Sequence, residues 1–190
     1  RAGGPAGRRH PLQFGREAVA TLLGNPARAD WKTCLPQPAP GERASTQELE
    51  GRIDLGIRPD KASAVRLKLA ACDPGTGQSA VTNYRVLRSN DQYSLVEVRP
   101  ETGRTHQIRV HMSAIGCPLV GDKLYGTDEQ LFLQHIAGEL DDTDRDALVL
   151  DRHALHSHSL TFFHPRRDRE VTIEAPLPRE FAELVPATGS

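Results

Sequence analysis

Polar and apolar residues alternate from Gln92 to Arg99. Ser94, Val96 and Val98 would face one side of a strand, with Tyr93, Leu95, Glu97 and Arg99 on the other. One face of that strand is apolar and one is mixed. Two further runs, Val65–Cys72 and Ser79–Leu87, flank Asp73-Pro-Gly-Thr-Gly77, and turn residues between alternating segments predict a hairpin. Gly51 to Ile57 reads as a short strand, whereas GREAVATLLG (15–24) fits a strand or a short helix equally. Near the C-terminus, 155–163 and 170–174 read as strands, the second followed by Ala175-Pro-Leu-Pro178.

After Pro100 the period changes. At about 100° per residue, Ile108, Met112 and Ile115 share one helical face, and His106, Arg109 and Ser113 lie opposite. Thr105 is the expected N-cap, and Gly116 sits where a glycine just past the last turn stops a helix. A second, acidic helix is expected from about Asp128 to Leu150. Together these elements predict an α+β fold, a mixed and mostly antiparallel sheet with helices packed on it.

Punctuation divides the chain into a Gly/Pro/Arg-rich arm at 1–13 and one domain at 14–186. Pro26, Pro36, Pro38 and Pro40 mark a surface insertion at 25–50 within that domain. A length of 190 residues allows one buried core, and 37% hydrophobic with 26% charged residues describes an ordinary globular chain. No apolar run approaches the ~20 residues that cross a bilayer, so no membrane association is expected. Cys34, Cys72 and Cys117 match neither a disulfide framework nor a zinc site, and a reducing cytoplasm follows as the expected compartment. A monomer is expected. The first residue is Arg1, not methionine, from which a fragment of a longer polypeptide is expected.

A net charge of −1 gives no global attraction to polyanions, so nucleic-acid binding would need a local patch. One exists in sequence: Arg85, Arg88, Arg99, Arg104 and Arg109 outnumber Asp91, Glu97 and Glu101. Arg104 stands just before a helix N-terminus, where free N–H groups favour an anion. A phosphate or carboxylate ligand is one reading; a solvated charged face is the other.

The stretch TGRTHQIRVHMSAIGCPLVGDKLYG (102–126) resembles the RluA-like RNA pseudouridine synthases. So do AVTNYRV (80–86), LVEVRP (95–100), RHALH (152–156), FHP (163–165) and EAPLP (174–178), in the family's order. The resemblance implies the pseudouridine synthase fold, truncated on its N-terminal side, and isomerisation of uridine to pseudouridine in RNA, ribosomal or transfer, without metal or other cofactor. It implies that Arg109 pairs with a nucleophilic aspartate and that Leu155 packs near the target base. Arg104, Thr105, His106 and Gln107 would contribute to RNA contacts or to the shape of the loop.

The family carries its aspartate in an Arg-Leu-Asp stretch followed by Thr-Ser-Gly, a segment these 190 residues do not contain. Arg52-Ile-Asp54 imitates it but continues Leu-Gly-Ile, and is expected to be the strand alone. Ala18 falls where the family's base-stacking tyrosine would be, and alanine cannot stack. An isolated chain is therefore expected not to catalyse; a non-catalytic RNA-binding relative is the alternative. A hydrolase built on His153, His156, His158 and His164 is weaker, because no Cys or acidic partner has metal-ligand spacing. Asp142 to Asp146 lacks the glycine of a calcium loop and reads as an acidic helix face. Asp122 and Tyr125 read as a turn held by the Asp side chain with Tyr packed beneath, and Cys117 as a small core residue.

Overall fold

The computed structural model describes residues 15–23 and 50–187; the arm at 1–13 and the insertion, save its last residue, lie outside them. Seven strands form one sheet in the order β3-β2-β4-β5-β1-β6-β7, and every described pair is antiparallel. They are β1 (Gly15–Leu23), β2 (Glu50–Pro59), β3 (Leu69–Cys72), β4 (Gln78–Ser89), β5 (Tyr93–Pro100), β6 (Leu155–His164) and β7 (Arg169–Glu174). The α+β class expected from the sequence is what forms, without a parallel pair among the described strands. The ambiguous stretch at 15–24 is a strand because β5 and β6 offer it two hydrogen-bonding edges.

Alternation along β5 sorts the core. Val96 and Val98 join Ala20, Met112 and Ile115 in one cluster, while Leu95 joins Val19, Phe181 and Val185 in another. Helix α1 (Gln107–Ala114) therefore covers one sheet face and α4 (Arg179–Leu184) the other. Helix α4 had no expectation in the sequence; a six-residue helix is too short for its period to stand out.

The expected hairpin does not form. Strands β3 and β4 both pair with β2, so that Gly56 lies opposite Cys72 on one side and Ser79 on the other. Residues 73–77 do turn, with Thr76 N–H donating to the Asp73 carbonyl at 3.0 Å, but they cross over β2. A Cβ at Gly56 would stand 1.9 Å from the Thr76 carbonyl oxygen, so the missing side chain makes room for the crossing.

Two helix boundaries also differ. Thr105 does not cap α1; the N-cap is His106 in the left-handed region, at φ 56°. Gln107 reaches back instead, its Oε1 accepting from Arg104 N–H at 3.0 Å. At the other end Gly116 takes φ 77°, and Cys117 N–H donates to the Met112 carbonyl while Gly116 N–H donates to that of Ser113, the stop the glycine promised. The single acidic helix is two, α2 (Gln130–Ala137) and α3 (Asp142–Leu148). Gly138 at φ 74° ends the first, and an Asp141–Asp144 capping box begins the second.

Candidate active site

Helix α1 is buried on two sides, which fixes what its remaining face can offer. Met112 and Ile115 are sealed in the sheet cluster, Ile108 packs against it, and Val110 enters a third cluster with Ile57, Leu124 and Tyr125. Polar groups pin the helix as firmly. Gln107 Nε2 donates to the Val81 carbonyl at 2.8 Å and to Thr82 Oγ1 at 3.0 Å, while its Oε1 accepts from Thr102 Oγ1 at 2.7 Å. His111 is fully buried between the Leu55 carbonyl, 3.2 Å from Nε2, and Thr82 Oγ1, 2.9 Å from Nδ1. A carbonyl can only accept, so Nε2 carries the proton and Nδ1 accepts from the threonine hydroxyl. Burial pushes this imidazole below its usual range, consistent with a neutral ring.

On that braced helix sits Arg109. Its Nε donates to Asp122 Oδ2 at 2.7 Å and its Nη2 to Asp122 Oδ1 at 2.8 Å, a two-point fork onto a carboxylate with no exposed surface. Asp122 Oδ1 also accepts from the backbone N–H of Leu124 and Tyr125, each at 3.0 Å. Burial pushes the Asp122 carboxyl up, but the Arg109 bonds and the two amides outweigh it and hold it below the ordinary carboxylate range. The Asp-held turn over a buried Tyr125 is as the sequence read it. Its grip on Arg109 was not foreseen, because no local pattern links a helix position to a turn thirteen residues on.

Tyr125 extends the cluster. Its ring lies under the guanidinium, 4.8 Å from centroid to Cζ, and edge-on to His106 at 5.5 Å. Its hydroxyl accepts from Leu69 N–H at 3.0 Å and shares a second hydrogen bond with His106 Nδ1, 2.9 Å away. Desolvation and then the Arg109 charge lower the His106 pKa, which favours its neutral form. Partial desolvation, then Arg109, also lowers His153, placing a second imidazole within electrostatic reach. The 151–154 loop arrives because Ala154 N–H donates to the Val120 carbonyl at 2.8 Å.

Leu155 begins β6 and packs on the cluster that holds Met112, on the same sheet face as Arg109's helix. Arg104 is exposed and donates from Nε to the Ser79 carbonyl at 3.0 Å; Thr105 is exposed. Gln107 is buried with its amide engaged on the chain's own groups. Asp54 faces outward beside Arg52, on the side of β2 opposite Ile53, and so away from α1. Ala18 is half-buried in β1 between Val98 and Ser157. His156 and His158 both meet the Ala175 carbonyl, and Cys117 is core. Among the described residues no helix is long and apolar enough to cross a membrane.

Comparison with known sequences defines the class: this chain belongs to the RNA pseudouridylate synthase family. The family's model matches residues 41–114. Among its relatives are ribosomal large subunit pseudouridine synthase D of Zymomonas mobilis, 37% identical over 72% of this chain and 39% of that protein. The same-named protein of Vibrio vulnificus is 38% identical over 75% of this chain and 45% of its own. The chain thus spans about two fifths of the length of the curated relatives it matches. In fold it resembles human RNA pseudouridylate synthase domain containing 1, with a TM-score of 0.57 at 23% identity over 90% of this chain and 57% of that one.

Proposed function

We propose that this chain forms one wall of the uridine pocket of an RNA pseudouridine synthase acting on ribosomal RNA, in the cytoplasm and as a monomer. The family and the names of the bacterial relatives support that reading. The observation that carries it is the Arg109 clamp. Two of the guanidinium's N–H groups hold Asp122, and the remaining ones are available to a second anion, on a side chain only 16% exposed. Asp122 is too enclosed to attack a sugar, so its part is to aim Arg109.

In the reaction, the N1–C1′ bond of uridine breaks, the base turns, and C5 bonds to C1′. The proton lost from C5 is balanced by one gained at N1. The base must leave its stack to be reached. Arg109 would pair with the attacking carboxylate, lowering its pKa and fixing its orientation. Leu155 would pack against the base, and Arg104, Thr105, His106 and Gln107 would meet RNA or shape the loop that does. No cofactor takes part.

The 190 residues of the chain lack the Arg-Leu-Asp-x-x-Thr-Ser-Gly segment. The isolated chain should therefore bind RNA without turnover, measured as no tritium release from a transcript labelled at uridine C5. Genomic sequence encoding that segment upstream would restore release in the full polypeptide, and Asp→Ala within it would abolish it. Tritium release by the chain alone would overturn the assignment of roles. Ala18, which cannot stack on a base, favours the second reading of a non-catalytic RNA-binding relative; a full polypeptide that binds without releasing tritium would establish it.

A further inference from the structure

Strands β6 and β7 form a ribbon at the sheet edge, and its two faces differ in kind. Leu160, Phe162 and His164 share a face with their partners Ile173, Val171 and Arg169. Thr161 and Thr172 bond across the other face, where Glu170 and Glu174 also stand. The first face is apolar and aromatic, it carries no acidic residue of β7, and Ile173 on it is 56% exposed. A register shift against β1 at Glu17/Ala18 places one extra residue in β6, so Leu160, opposite Arg16, falls on the same sheet face as Leu155, opposite Ala20, and the ribbon face continues the side that α1 covers.

The aromatic pair on this face is held in place. Phe162 and His164 stack at 6.2 Å with planes 25° apart. His164 Nδ1 accepts from the backbone N–H of Arg166 and Arg167 at 3.2 and 3.3 Å, which fixes the ring against the turn. That turn, His164-Pro-Arg-Arg-Asp-Arg169, carries Arg166 and Arg167 beside the ring that their backbone N–H groups hold, and Arg169 pairs directly across the ladder from His164. Among the described residues, Arg166, Arg167 and Arg169 have no ion pair. An ordered pair of rings next to unpaired arginines matches single-stranded nucleic acid, whose bases stack and whose phosphates need cations. An acidic protein surface could meet the arginines but offers no row of planar bases for the ring pair.

We propose that this ribbon face is a second RNA contact, with an unpaired base stacking on the Phe162–His164 pair and phosphates meeting Arg166, Arg167 and Arg169. It rests on the reading that the chain binds RNA, and it adds a site at the β6–β7 edge of the sheet face that α1 covers.

The test is fluorescence anisotropy of the whole chain with a fluorescein-labelled uridine dodecamer. Phe162→Leu should weaken binding about tenfold, because the ring is lost while the apolar volume is kept, and Phe162→Tyr should bind as the parent does. Replacing all three arginines by alanine should lower the slope of log affinity against log salt by about 2, at ~0.7 per phosphate contact on a single strand. Thr172→Ala, on the far face, should change nothing. Equal binding by the parent, Phe162→Leu and the triple variant would overturn this site while leaving the proposed function standing. A triple variant that weakens while Phe162→Leu does not would also overturn it, since attraction would then be diffuse charge. No binding by the parent at low salt would defeat the function reading first. A dimer on size-exclusion with light scattering, dispersed by Ile173→Glu, would make the occupant a second copy and sink the RNA assignment.

Discussion

Arg109 and Asp122 are joined at two points, Nε to Oδ2 at 2.7 Å and Nη2 to Oδ1 at 2.8 Å, and the carboxylate is wholly enclosed. Removing one partner of such a pair leaves a buried charge without its counterion. Arg109→Met should cost about 3–5 kcal/mol in urea unfolding. Asp122→Asn added to it should recover part of that loss. Arg109→Lys should not restore full stability, because an ammonium cannot make the fork. A stability loss for Arg109→Met within experimental error would mean the pair holds nothing together.

Acid should unfold the protein in two stages. His106, His111 and His153 all have folded pKa values below the ordinary 6.5, chiefly through desolvation. A histidine lowered in the fold binds more protons when unfolded, so its stabilisation is complete above 6.5 and declines as pH falls below that value. Asp122 is lowered too, which stabilises above the unfolded carboxylate range, about pH 4, and is lost as pH drops through its folded value. Unfolding free energy measured from pH 8 to 3 should fall first below 6.5 and again below about 4. His111→Gln should flatten the first decline, while a profile level from pH 7 to 5 would contradict the lowered histidines.

Gly56→Ala would place a methyl 1.9 Å from the Thr76 carbonyl and 2.8 Å from Cys72 Sγ. Backbone would have to move, at a cost of about 1–3 kcal/mol. Gly116→Ala meets open space and pays only for its φ of 77°, about 1 kcal/mol. Melting temperatures should therefore rank parent, Gly116→Ala, Gly56→Ala. The reverse order would show that the 73–77 crossing adapts freely.

Gln107→Leu keeps the volume of the side chain and removes its amide, taking the acceptor from Arg104 N–H and from the Thr102 hydroxyl, while the Val81 carbonyl keeps only its bond from Glu101 N–H. A buried group left without a partner costs about 1–3 kcal/mol. We expect a loss of about 2 kcal/mol or more, with faster hydrogen exchange at the start of α1. Unchanged exchange there would mean water replaces the amide.

Local periodicity determined much of this protein in advance. The strand alternation of 92–99, the apolar face of Ile108, Met112 and Ile115, and the glycine stop at Gly116 were each legible, because each depends on neighbours within a few residues. The family was legible from a long ordered set of motifs. What alternation could not say is which strand lies beside which: β3 and β4 look like a hairpin, yet β2 comes between them and Gly56 lets the chain cross. Nor could it say that Arg109 would take Asp122 as its partner, or that His106 would cap α1 in a left-handed turn against Tyr125. Those pairings are set by distance in space, and only packing the helix onto the folded sheet brings a guanidinium, a buried carboxylate and two imidazoles to one place.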